Sequence, residues 1–548
     1  MITRQLDHYP SGVERTFCLG LVVASTVVLY WQQYVPSAVS PSILAHFQIS
    51  FRYSLTVTVI SSAVGAVASL LAGVADRVGR ANLVIAGLLV AGLITGFATP
   101  AAPAPWVYAL CVSAVGFVEG VVLVATPALA RDFSTHRRRG RAMGAWALGP
   151  VVASLAVAEV ASHTLDHLPA WQDQFHIAGG VAIGVFVVAA VGLREVPPAL
   201  RNRVLISDEA AQAAGAAEGD PAGSGSWAAP VGEPGRSGPW RQMATPKVVL
   251  AALGVSLFLL LYYSTVAFFV LYFVSVFHFS QSQANGLANW FWAADAMAVV
   301  TAGVLSDRLG VRKPLIVVGT LGSVVLTGIF AARATDPRTT VTAFAVLVSL
   351  LSFSRGFAYA PWMASFTETL EHRNPALVAT GLAVWGWTVR VVVSLAFLVL
   401  PSVVTAVTPI TDYGPKVAAL SVEYRSELAT LAHISPATRA ALASHPADTA
   451  VRISAVTDIA AGEHISANQA ITRLRALAAV PAADRRYLTT HGPAVAAAER
   501  DGPSQWQHWW IVCLVGQVLL LPTVFLLDGN WLRQRAEVPE QTPEVAVA

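Results

Sequence analysis

Gly73-Val74-Ala75-Asp76-Arg77-Val78-Gly79-Arg80 decides how this chain is read, because it returns as Gly303-Val304-Leu305-Ser306-Asp307-Arg308-Leu309-Gly310. Asp307 stands 231 residues after Asp76. Three further matches run in the same order at nearly the same offset: His46-Phe47 with His278-Phe279, Glu119-Gly120 with Arg355-Gly356, and Gly144 with Gly381. The offset drifts by a few residues along the chain, as small loop insertions would make it. Four ordered matches are hard to produce by accident, so the chain is read as a duplicated unit.

The composition says what the unit is made of. Of 548 residues, 55% are apolar and only 12% charged, where soluble domains carry about a quarter charged residues. A bilayer-crossing helix needs about 20 apolar residues. Apolar runs bounded by charge or by Pro/Gly clusters predict twelve spans, at 15–38, 53–75, 82–100, 105–130, 141–162, 174–193, 246–275, 283–305, 314–333, 340–365, 375–402 and 507–527. Pro36 follows Trp31-Gln32-Gln33-Tyr34 and predicts a bent or polar-lined end to the first span. A net charge of +3 gives no nucleic-acid footprint. Cys18, Cys111 and Cys513 all lie inside apolar runs, with neither a disulfide framework nor metal-ligand spacing. The polar start through Arg15 carries no cleavable signal pattern.

These runs divide the chain into a six-helix bundle over 15–193 and a second one formed by 246–402 plus 507–527. Residues 194–245, with Pro197-Pro198 and Gly223-Ser224-Gly225-Ser226, read as a mostly disordered linker. Residues 408–505 are alanine-rich with heptad-like spacing and predict a partly helical insert between the last two spans. Residues 528–548 form a tail. Arg and Lys concentrate after spans two, four and eight, with five arginines between Arg131 and Arg141, whereas 101–105, 163–173 and 277–282 have none. Both termini and the linker are therefore expected in the cytoplasm, and the insert outside, in a plasma membrane protein.

Gly-x-x-Asp-Arg-x-Gly-Arg after span two, with its counterpart Gly-x-x-x-Asp-Arg-x-Gly after span eight, resembles the signature of the major facilitator superfamily. The resemblance covers nearly the whole chain apart from the linker, insert and tail. It implies an all-α membrane protein of twelve helices in two pseudo-symmetric six-helix bundles, working by alternating access around a central cavity. It also implies that Gly73, Asp76, Arg77, Gly79 and Arg80, with Gly303, Asp307, Arg308 and Gly310, form a gate on the cytoplasmic side. Span five reads Gly144-Ala145-Trp146-Ala147-Leu148-Gly149-Pro150. This is similar to the Gly-Pro motif of drug/proton antiporters, but Ala153-Ser154 replaces its second glycine pair and Gly116 stands where those proteins favour an arginine in span four.

Ionisable groups in the hydrocarbon zone cost at least about 2.5–3.5 kcal/mol each and are functional candidates by default. Glu119 and Asp295 each lie twelve residues before a cytoplasmic boundary, about 18 Å into the bilayer at 1.5 Å per residue. Arg355 takes the repeat position of Glu119, and Arg390 lies near the middle of span eleven. Two readings stay open. The arginines meet a substrate anion while an acid carries a proton, or Glu119 and Arg355 form a permanent pair locking two helices. Gln32, Gln33 and Tyr34, with Tyr262 and Tyr263, are candidate hydrogen-bonding lining; Trp290, Trp292, Trp362, Trp385 and Trp387 are candidate walls. Trp506, Trp509 and Trp510 are expected as an interfacial belt, Glu159 near the outer end of span five, and His433, His445, His464 and His491 as solvent-facing residues of the insert.

No Walker loop or nucleophile elbow is present, so the chain is not read as an enzyme or an ATP-driven pump, and no cofactor or metal is expected. The expected function is proton-coupled secondary transport of a small organic solute, an organic anion by preference. Drug or metabolite efflux in exchange for protons is the alternative. The rival from another class is a membrane receptor or assembly factor whose insert binds an envelope partner.

Overall fold

The computed structural model describes residues 5–69, 79–133, 144–196, 239–336, 338–374, 377–529 and 531. Among them, eleven helices are long and apolar enough to cross a membrane. With every backbone N–H bonded inside its own segment, helices are the form such sequences can take in lipid. The first half contributes α1 (Gly12–Ala38), α2 (Ser40–Phe47), α3 (Phe51–Ser69), α4 (Arg80–Leu93, running into a π-turn over Ile94–Ala98), α5 (Pro105–Asp132), α6 (Gly149–Thr164) and α7 (Trp171–Gly192). The second contributes α8 (Pro239–Met243), α9 (Pro246–Phe258), α10 (Leu260–Phe277), α11 (Gln281–Leu309), α12 (Lys313–Arg333), α13 (Val341–Arg373) and α14 (Val378–Val403). The segment expected as span five appears as the 16-residue α6, and the expected start of that span lies outside the described residues.

Local chemistry sets several of these ends. Ser11 and Glu14 form a capping box at the start of α1, and Ser280 and Gln283 do so for α11. Proline occupies the first turn of α6, α9 and α12, where its missing N–H costs nothing. Gly310 ends α11 at φ 65°, a left-handed position that favours glycine. Pro36 does not break α1, which continues to Ala38 before the chain turns into α2.

The helix pairings repeat. α3 packs on α5 as α11 packs on α13, α4 on α7 as α12 on α21 (Ala482–Val518), and α1 on α6 as α9 on α14. Close approach by glycine repeats with them. A Cβ on Gly65 would lie 2.9 Å from the Gly116 carbonyl oxygen between α3 and α5, and one on Gly356 would lie 2.7 Å from Asp295 between α11 and α13. The halves meet through α6 on α11, α3 on α14 and α1 on α10.

The segment between α14 and the last span is a string of short helices: α15 (Val407–Asp412), α16 (Gly414–Glu423), α17 (Arg425–His433), α18 (Pro436–Ser444), α19 (Thr449–Glu463) and α20 (Ala467–Ala479) lead into α21. Ile434, Ala455, Ile459, Ala470 and Leu474 give the outer part a small core of its own. The inner part is tied down, with α15 packed on α2, α3 and α21, and Gln505 accepting from the Ala406 N–H at 2.7 Å. His433, His445 and His464 are exposed. His491 instead stacks on Tyr413 at 4.0 Å between ring centres and touches Tyr487.

Because α21 starts at Ala482, its tryptophans lie well inside the helix and not at its mouth. Trp506, Trp509 and Trp510 are buried and form no interfacial belt. Trp509 donates to Ser264 Oγ at 3.1 Å, and Trp510 packs edge-on against Tyr272 and Phe330.

Candidate functional site

A cavity of about 290 Å³ lies between the two halves, walled by α1, α3 and α5 on one side and by α10 and α14 on the other. Its polar lining includes Tyr30, Gln33, Tyr34, Glu119, Tyr263 and Arg390. Glu119 is 2% exposed, and neither of its carboxylate oxygens has a hydrogen-bond partner among the described residues. Arg390 projects from α14 into the same space, is exposed, and makes no ion pair among the described residues. Tyr30 lies within electrostatic reach of both Glu119 and Arg390. One acid, one cation and a set of phenols thus share one chamber, an arrangement that can bind an anion and hold a proton.

The four ionisable residues expected together are divided. Asp295 and Arg355 form an ion pair across α11 and α13, deep inside the second half and outside the cavity lining. The Arg355 guanidinium also lies over the Tyr262 ring, 4.8 Å from its centre, and 5.9 Å from that of Phe291. The reading in which Glu119 pairs with Arg355 is therefore corrected. Arg355 faces its own half because α11 packs flush against α13 there, through Gly356.

The remaining candidates sort the same way. Gln32 lines one edge of the cavity but turns its amide inward, donating to the Ala178 carbonyl at 2.9 Å. Tyr34 stands 5.7 Å from Tyr30 between ring centres. Tyr263 lines the cavity, whereas Tyr262 packs on Trp292 at 5.2 Å and does not. None of Trp290, Trp292, Trp362, Trp385 and Trp387 lines it; Trp362 is buried against Phe366 and Trp290 is 61% exposed. The phenylalanines Phe51, Phe268 and Phe397 line it instead, at its far end. Sequence reading missed them, since alternation of apolar residues in a membrane helix does not distinguish cavity from lipid.

At the end that carries the insert, hydrogen bonds join the halves. Asn285 donates to the Ala38 carbonyl at 3.0 Å, Ser282 to the Ser162 carbonyl at 2.7 Å and Gln281 to Ser42 at 2.6 Å, while Asn289 meets Glu159. Glu159 is exposed there, as its place at the end of span five requires.

At the opposite end, Gly73, Asp76 and Arg77 lie outside the described residues. Gly79 takes φ 97° at the start of α4, and Arg80 pairs with Asp132 at the end of α5 at 2.9 Å. Glu195, unremarked in the sequence, accepts from the Ala81 N–H at 2.8 Å, placing a carboxylate at the positive end of α4. In the second half it is Arg312 that makes the matching pair, with Glu368 at the end of α13 at 3.2 Å, and it also donates to Ser306 at 2.8 Å. Arg312 stands 232 residues after Arg80, and Glu368 236 after Asp132, so the pair itself is duplicated. Arg308, the arginine expected in this role, is exposed and makes no ion pair among the described residues; Gly303 lies within α11 on the approach to the motif. The Asp307 side chain lies outside what is described.

The chain matches solved transporters in fold. It aligns with a bacterial homologue of the human lysosomal transporter Spinster, in its inward-facing unoccupied conformation, over 89% of this chain and 99% of that one, at 16% identity and a TM-score of 0.56. With the occupied, inward-facing form the figures are 94%, 97%, 15% and 0.57. With a D-xylose-proton symporter they are 71%, 90%, 14% and 0.53. No curated protein sequence matches. The family model of the Major Facilitator Superfamily matches residues 22–396. With the duplicated pairings and the central cavity, this match places the chain in the major facilitator superfamily as a membrane transporter and not an enzyme.

Proposed function

We propose that this transporter is proton-coupled and moves a small organic anion across the plasma membrane by alternating access, with both termini, the 194–245 linker and the 528–548 tail in the cytoplasm and the 408–505 insert outside. The observation that carries the reading is the shared chamber of Glu119 and Arg390, an acid and a cation that make no ion pair among the described residues. Arg390 is the anion anchor, because its guanidinium stays charged and binds carboxylates as a fork. Glu119 is the proton carrier. While ionised it competes with the substrate for the field of Arg390; once protonated it releases that field to the substrate. Proton and anion therefore favour each other's binding, and the coupling is reciprocal. The polar residues Tyr30, Gln33, Tyr34 and Tyr263 orient the bound solute.

The duplicated pairs Arg80–Asp132 and Arg312–Glu368 each fasten two helix ends within one half, so neither has to break when the halves tilt apart. The hydrogen bonds between α6 and α11 close the outer seam. The test is binding of a panel of organic acids, amines and neutral analogues to purified protein and to Arg390→Gln. Anions alone should bind, and the variant should lose them at least tenfold. Equal binding of amines, or an unaffected variant, would overturn the reading. Uptake compared with efflux in oriented vesicles then fixes the direction of flux.

A further inference from the structure

Opposite its charged end, the cavity is walled by three phenylalanines drawn from both halves: Phe51 of α3, Phe268 of α10 and Phe397 of α14. Their rings meet edge to face, with Phe51 and Phe268 5.8 Å apart and Phe268 and Phe397 4.7 Å apart, and each ring is buried. Phe397 follows Arg390 by seven residues on α14. Seven residues are two helical turns, so both side chains share a face and stand about 10 Å apart along the axis. Leu55, Leu271 and Val393 line the space between them. The chamber is thus a slot with a cation at one end and an aromatic wall at the other.

The charge sets a limit on the ligand. Arg390 and Glu119 together supply one positive charge when Glu119 carries its proton and none when it does not, which neutralises one negative charge and no more. We propose that the transported solute is an amphipathic monocarboxylate, its carboxylate on Arg390 and its apolar body reaching along α14 to Phe51, Phe268 and Phe397. The inference rests on the assignment of Arg390 as anion anchor and adds the aromatic wall as the element that selects for length.

The experiment is binding of acetate, butyrate, hexanoate and octanoate, with octanamide as the uncharged control, to purified full-length protein and to Phe397→Ala and Phe397→Leu. Binding should tighten about three- to fourfold per methylene. Octanamide should bind at least tenfold more weakly than octanoate. Phe397→Ala should weaken octanoate at least tenfold while leaving butyrate within twofold, and Phe397→Leu, the milder change, should shift the same way by less. Carboxylates that bind without any dependence on length, or a Phe397 variant that weakens every member equally, would overturn the aromatic wall and leave the anion anchor standing. Octanamide binding as well as octanoate would overturn the anchor and spare the wall. Binding of none of the series would overturn both.

Discussion

Asp295 and Arg355 form an ion pair between α11 and α13 that solvent does not reach, with their side chains 0% and 2% exposed. Arg355 occupies the repeat position of Glu119. The second half thus carries a buried ion pair where the first carries an acid with no ion pair among the described residues. Removing one member of such a pair leaves an uncompensated buried charge, which costs about 3–5 kcal/mol, whereas replacing both is often nearly neutral. Arg355→Gln and Asp295→Asn should each lower the melting temperature sharply, and the double variant should recover most of the loss. Single variants that keep full stability and lose only transport would show that the pair works on substrate instead.

The second prediction separates Arg312 from Arg308. Arg312 bonds both Glu368 and Ser306, so Arg312→Ala should cost about 1.5–3 kcal/mol, the range for hydrogen bonds to charged groups, toward its lower end because Glu368 is 35% exposed. Arg308 is exposed, and Arg308→Ala should stay within about 0.5 kcal/mol. Arg80→Ala should exceed both, because the Arg80–Asp132 pair is the more buried at 19% and 5% exposure, against 21% and 35%. Thermal unfolding of the three variants gives the order, and Arg308→Ala costing as much as Arg312→Ala would refute it.

The third concerns the insert. Asp458 accepts from the Ser435 backbone N–H at 3.0 Å, and this bond, followed by those from the Thr438 and Ser435 side chains, holds its carboxyl below the usual aspartate range. A carboxyl depressed by folding stabilises the fold at pH above its unfolded value of about 4, and that contribution disappears as pH falls through the lower folded value. Hydrogen exchange over α18 and α19 in the full-length protein should therefore quicken as pH is lowered below about 4, after correction for the intrinsic rate. Asp458→Asn should remove this acid step. An unchanged step in the variant would assign it to another group.

Much of this was legible in the sequence, and what was not follows from what sequence can encode. The offset near 232 residues gave the duplication and the two-bundle fold, because repeat spacing survives when side chains change. The same offset, applied to Arg80, would have pointed to Arg312; the resemblance to the family motif directed attention to Arg308 instead. Depth is readable from 1.5 Å per residue, so Glu119, Asp295, Arg355 and Arg390 were placed at one level. Rotation about the helix axis is not readable when every face is apolar, which is why Arg355 was open to pairing with Glu119 and is found on Asp295. Trp506, Trp509 and Trp510 misled for a related reason, since the start of α21 lies within the alanine-rich insert and not at the tryptophans.

The most direct test of the account is solute-driven proton entry into vesicles carrying Glu119→Gln. With a pH-sensitive dye inside, the unaltered protein should acidify the lumen when a bound organic anion that gives no acidification of protein-free vesicles is added outside. The variant should give no acidification, yet should still exchange labelled for unlabelled solute at a rate near that of the unaltered protein. Acidification that persists in Glu119→Gln would contradict the assignment of Glu119 as the proton carrier, and with it the claim that acid and cation act together in one chamber.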